Sequence, residues 1–266
     1  MSNSELNNDK LPEWLKSCAQ FKLPEMSDRD SACLFLPDLD YKSQLIAIKE
    51  LIILHSKAEE ASSEEIKDIE AYAKKTSGIR NECAVDQWVE HLHNSVYQDA
   101  AHSMAAVGML APMFESVFYH AFQGIGQHLT EEWAPPCDNV RWQRPAEDQW
   151  DCHYVWSNGR RSNNLVKGIM QLAEASGMAK YLPSDLKKTL QALFEYRNKM
   201  FHCGFEWPID ERERFAKRII DADWPNNWFT KAKKGKEPWV FYMTDTFIKH
   251  CLEIINQVIS GKGTGN

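Results

Sequence analysis

The sequence predicts an all-α fold: a helical bundle with extra N-terminal helices and a tryptophan-rich irregular insertion. Three observations predict it. Apolar residues recur at three- and four-residue spacing through most of the chain, which is the period of one helix face. Strand-like alternation is scarce. Start and stop residues, among them Gly78, Gly177, Pro183 and Gly204, fall where the periodic segments begin and end.

Residues 1–40 hold Pro12, Pro24 and Pro37 among small polar residues and read as an irregular arm. A single helical domain is expected over 41–260. Its first segment, YKSQLIAIKELIILHSKAEEA, places Leu45, Ile48 and Ile52 on one wide apolar face. SSEEIKDIEAYAKKTSG reads as a second helix, with a capping start of Ser before Glu-Glu and a stop at Gly78. ECAVDQWVEHLHNSVYQDA reads as a third. Residues 101–129 form a helix that is apolar nearly all round, through Phe114, Val117, Phe118, Ala121, Phe122 and Ile125, and such a helix belongs at the centre of a bundle. Pro112 should kink it or mark its beginning. Residues 131–160 carry a Pro-Pro pair and four tryptophans with no helical period, and read as an ordered insertion packed on the bundle. SNNLVKGIMQLAEASG is a short helix ended by Gly177. The next helix starts near Pro183 and Ser184 and stops at Gly204. PIDERERFAKRII and WVFYMTDTFIKHCLEIINQVIS complete the bundle, with KAKKGK (231–236) as a loop between them and 261–266 as a frayed tail.

Charge narrows the function. The net charge is −7, unevenly spread: residues 1–130 hold 11 Lys/Arg against 20 Asp/Glu, which leaves 20 against 18 for the rest. A polyanion would approach the second half, and a generic nucleic-acid coat is excluded. The seven cysteines form no CxxC pair, as expected for reduced thiols. The N-terminus has no basic or apolar signal region, and the apolar segment 101–129 is interrupted by Pro112, Glu115 and histidines. A soluble, cytoplasmic protein without a membrane partner is expected. No glycine loop for nucleotide phosphates and no metal-ligand spacing is present, Cys152-His153 and His202-Cys203 included, so no cofactor and no metal site are expected.

One helix poses a question. The apolar stripe before Gly204 runs through Leu186, Leu190, Leu193, Phe194 and Phe201, and at about 100° per residue Arg197 falls in its middle. A guanidinium buried without a partner costs several kcal/mol or so, so Arg197 needs either a dedicated carboxylate, such as Glu115, or a polar cleft. Asn198 and His202, four apart, are neighbours on the helix, and a helix unwinding near Gly204 frees the imidazole to turn. A permanent cation beside a base that titrates near neutrality suits cleavage of a phosphodiester by an adjacent 2′-hydroxyl.

FEYRNKMFHCG resembles the signature of the HEPN superfamily, an all-α ribonuclease fold, through Arg197, Asn198, His202 and the nearby Gly204. The resemblance covers about half the chain, roughly 101–130 and 161–260. It implies a metal-independent endoribonuclease, active as a homodimer with motif residues of both copies lining one cleft. It also implies RNA as substrate, a role as a toxin or antiviral effector, and an antitoxin or other regulatory protein as a partner. By the same resemblance His202 is the general base or acid, Arg197 stabilises the phosphorane and Asn198 orients His202 or the phosphate. Other relatives act as non-catalytic binding or scaffold subunits, the alternative for this chain.

Further RNA contacts are expected from basic residues: Lys199 inside the motif, Arg160 and Arg161 in the segment that interleaves arginines with tryptophans, and Lys233 and Lys234 in the lysine cluster. His102 and His120, on the central helix, are expected to be satisfied core histidines.

Overall fold

The computed structural model describes residues 40–128 and 139–260. The N-terminal arm, the Pro-Pro part of the insertion, the tail and Cys18, Cys33 and Cys137 lie outside the described residues. The architecture is mostly helical, with two small antiparallel hairpins that an all-α reading leaves out.

The four segments expected between 41 and 129 fold as two helices, α1 (Tyr41–Lys75) and α2 (Ile79–His128). No Gly or Pro lies within α1, and serine in a helix interior is only about 0.5 kcal/mol poorer than alanine. The pair Ser62-Ser63 therefore starts no new helix. Asp40 caps α1 by accepting from the Ser43 N–H at 3.0 Å. Beyond Lys75 the chain turns at Gly78 (φ 64°), and the Asn81 amide donates to the Ala73 carbonyl at 2.6 Å. The two helices then run antiparallel: Glu65 lies 3.9 Å from His91, and His55 stacks on His102 at 3.5 Å between ring centroids.

Pro112 lies inside α2 and neither begins nor ends it. A proline ring meets the carbonyl four residues earlier, here that of Gly108. A Cβ on Gly108 would sit 3.5 Å from the Phe201 ring, so this turn is where α2 and the motif helix approach each other. The second half of α2 fills the centre as expected, with Val107, Leu110, Phe114, Val117, Phe118 and Phe122 buried.

The insertion carries a one-turn helix, α3 (Ala146–Gln149), and a hairpin of β1 (Tyr154–Ser157) with β2 (Arg160–Asn163). Asn158 and Gly159 form its turn, both at positive φ, which an Asn-Gly pair adopts readily. The hairpin docks on α4 (Leu165–Ala175) at Gly168, where a Cβ would lie 2.1 Å from the Cys152 carbonyl oxygen. Trp150 covers Gly126 of α2 in the same manner.

The motif helix α5 (Leu186–Cys203) is followed by α6 (Ile209–Asp221), strands β3 (Phe229–Lys234) and β4 (Glu237–Met243), and α7 (Asp245–Ser260). The expected KAKKGK loop is thus mostly strand, closed by a two-residue turn with Gly235 at φ 67°. Tyr196, Trp207, Phe215, Phe229 and Phe241 form a buried aromatic cluster. Trp207 and Phe241 stack at 5.5 Å, and the Tyr196 hydroxyl donates to the Phe241 carbonyl at 2.9 Å. Among the described residues, no helix is long and apolar enough to cross a membrane.

Candidate active site

α5 buries Leu186, Thr189, Leu190, Ala192, Leu193, Tyr196 and Met200. The buried stripe is therefore rotated from the predicted one: Phe194 is half-buried, Phe201 is exposed, and Arg197 stands at the stripe's edge. Tyr196 takes the central place because its hydroxyl finds a carbonyl inside the core.

The question posed by Arg197 has a structural answer. It opens onto a cleft of about 830 Å³ whose wall is built from α2, β1, the start of α4, α5 and α6. Among the described residues, no carboxylate lies within salt-bridge distance of its guanidinium. Instead the Arg197 Nη1 donates to the Asn198 Oδ1 at 3.2 Å, and its Cζ lies 5.4 Å from the centre of the Phe201 ring. Glu115 shares the cleft but is held by His153, at 3.0 Å between Oε1 and Nε2, so the expected Arg197–Glu115 pair does not form. Asn198 lines the same cleft.

His202 is not in that lining. The helix continues to Cys203 without unwinding, and Gly204 at φ 71° caps it. Residues five apart on an unbroken helix lie roughly 140° apart, so one chain does not bring Arg197 and His202 together. His202 is exposed, one turn from Asn198, and makes no hydrogen bond or ion pair among the described residues.

The other predicted contacts are scattered. Lys199 is tied to Glu211. Arg160 is exposed on β2; Arg161, beside it, lies 3.3 Å from Asp148 and stacks over Tyr154 at 4.2 Å. Lys233 and Lys234 are exposed on β3, outside the cleft, and Lys234 lies over Trp239 at 5.8 Å. The Arg/Trp segment is internally engaged as well. Arg144 stacks over Trp156 at 4.5 Å, and Arg141 is fully buried, donating to the carbonyls of Asp148, Asp151 and Tyr154 at 3.2, 2.8 and 2.7 Å.

Sequence reasoning missed the imidazole that does line the cleft. The His153 Nδ1 lies 2.7 Å from the Asp151 Oδ1, which also accepts from the His153 backbone N–H at 2.8 Å. Burial alone would lower its proton affinity, but the hydrogen bonds to Asp151 and Glu115 and their charges outweigh burial and raise it. The signal is the tripeptide Asp-Cys-His, in which a carboxylate two residues before the imidazole can hold its ring. Cys152 is in fact buried, and its thiol is pushed up to about 12, first by burial and then by Asp151. His102 also departs from expectation: it is buried, and its Nε2 has no partner among the described residues. His120 does find one, the Ser116 carbonyl at 2.8 Å.

No protein-family model, curated protein or solved structure matches the chain.

Proposed function

We propose that the protein is a metal-independent endoribonuclease of the HEPN kind, acting as a homodimer and cleaving RNA through attack of a 2′-hydroxyl on the adjacent phosphate. The observation that carries this reading is Arg197. It is a half-buried cation free of carboxylates among the described residues, and it faces an open polar cleft with Asn198 bonded to it. A permanent charge held ready in such a place suits the dianionic phosphorane better than it suits the fold. Exposed Phe201 and His202 lie on the adjoining face of α5, where a second copy would bring its own His202 towards the cleft.

The test is incubation of the purified protein with end-labelled RNA in EDTA. The expected products carry 2′,3′-cyclic phosphate ends, and Arg197→Ala should slow their formation about 10²–10³-fold. Intact RNA with the wild-type protein would refute the reading. One observation favours a second reading, a non-catalytic helical binding protein: Arg197 and His202 diverge on an unbroken helix. Under that reading Arg197→Met is neutral or stabilising for the fold, and His202→Ala has no effect on RNA.

A further inference from the structure

We propose that Glu115 and His153 are the acid–base pair of the Arg197 cleft; this rests on the reading of that cleft as a site of phosphodiester cleavage. The two residues are 38 positions apart in sequence and meet because the insertion docks on α4 and α2. Both line the cleft with Arg197, and both side chains keep solvent access, at 35% for His153 and 41% for Glu115. Asp151 fixes the ring through Nδ1, so Nε2 has one orientation, towards Glu115 and the cleft. A solvent-accessible imidazole between two carboxylates adds little to stability. The same arrangement gives a proton donor and a proton acceptor 3.0 Å apart beside an anion clamp.

The step balances within one chain, with Glu115 and His153 in the proton-transfer roles that the resemblance gives to His202. The Glu115 carboxylate takes the proton of the 2′-hydroxyl as its oxygen attacks phosphorus. The P–O5′ bond breaks, and the His153 imidazolium gives its Nε2 proton to the departing 5′-oxygen. Arg197 faces the negative charge on the non-bridging oxygens. A protonated Glu115 and a neutral His153 are left, and proton transfer between them restores both. Asp151 is a positioning residue.

The experiment compares wild type, His153→Gln, Glu115→Gln and Asp151→Asn on two RNAs of one sequence. One has ordinary linkages, and one has a 5′-bridging sulfur at a single linkage, whose thiolate leaves without a proton. On ordinary RNA, His153→Gln and Glu115→Gln should each lose about 10²–10⁴-fold in kcat with KM little changed. On the sulfur linkage His153→Gln should recover most of its rate and Glu115→Gln should not, a selectivity that a merely structural role would not produce. Asp151→Asn should shift the limb of the pH–rate profile that reports His153. Glu115→Gln keeps a hydrogen-bond acceptor for the ring and so tests the pair even where His153→Gln folds poorly. Wild-type cleavage with His153→Gln unchanged, or with equal defects on both linkages, overturns the pair and leaves the ribonuclease reading standing. No cleavage by wild type overturns both.

Discussion

Arg141→Met should unfasten the insertion that carries His153. Arg141 is fully buried, and its guanidinium meets no carboxylate; its partners are the carbonyls of Asp148, Asp151 and Tyr154, at 3.2, 2.8 and 2.7 Å, with that of Gly168 at 3.5 Å. Methionine fills a similar volume but donates nothing, so the three nearer carbonyls are stranded at about 1–2 kcal/mol each. Two effects oppose this loss. Burial lowers the proton affinity of Arg141, only partly countered by Cys152, Asp151 and Asp148, and its Nε has no partner among the described residues. Removing the charge therefore relieves a desolvation cost of roughly 1–2 kcal/mol, leaving a net loss of about 2–4 kcal/mol. That is a large share of the stability of an ordinary domain. Urea unfolding at pH 7, followed by tryptophan fluorescence, measures it; Trp142, Trp150 and Trp156 lie in the affected segment. Limited proteolysis should cut first between residues 139 and 163. A loss below about 0.5 kcal/mol, with no new cleavage there, would refute the view that this arginine is the insertion's anchor.

Two glycines should respond oppositely to alanine. At Gly168 the new Cβ would lie 2.1 Å from one backbone oxygen and 2.6 Å from another, so a loss of about 3 kcal/mol or more is expected in the same urea assay. At Gly108 it would meet only the Phe201 ring at 3.5 Å, and helix propensity should make that change neutral or stabilising by up to about 1 kcal/mol. The third expectation concerns pH. His102 is depressed from 6.5 to about 4, first by burial and then by His55, with Asp245 opposing. The unfolded chain therefore takes up this proton first, and stability is full above about 6.5 and is lost as pH falls towards 4. Full linkage is worth about 3 kcal/mol, and water in the groove between α1 and α2 should reduce it to about 1–2 kcal/mol. Asp99 in the same groove runs the other way, raised to about 6 by burial and then Glu59, so wild type must be compared with His102→Leu. The variant should gain on wild type between pH 7 and 4.5; a constant difference would refute the assignment.

Much of the helical framework was legible because helix periodicity is local. The buried second half of α2 and the boundaries at Gly78, Gly177 and Gly204 follow from residues within a few turns of each other. Both hairpins carry a local signal too: Asn158-Gly159 and Gly235-Lys236 are two-residue turns of the kind that joins paired strands. The stripe on α5 was misplaced by one residue, since periodicity alone does not show that Tyr196 can bury its ring once Phe241 offers a carbonyl. The Glu115–His153 contact was beyond sequence reasoning, because it depends on how an aperiodic insertion docks. The cage around Arg141 is hidden for the same reason: composition counts a charge without telling whether it meets solvent or carbonyls.

One unbroken helix joins the α1–α2 turn to the cleft. At 1.5 Å per residue, the 50 residues of α2 extend about 75 Å, and Glu115 rides on the same rod as Ile79. Between Ile52 and Ala100 the only buried apolar residues on the two helices are Ala73 and Ala84, so this stretch is held chiefly by the helices' own pairing. It is a lever with its fulcrum in the core. A partner bound at the far end would hold the same helix that carries Glu115, with Pro112 as the one break in its hydrogen-bond ladder between them.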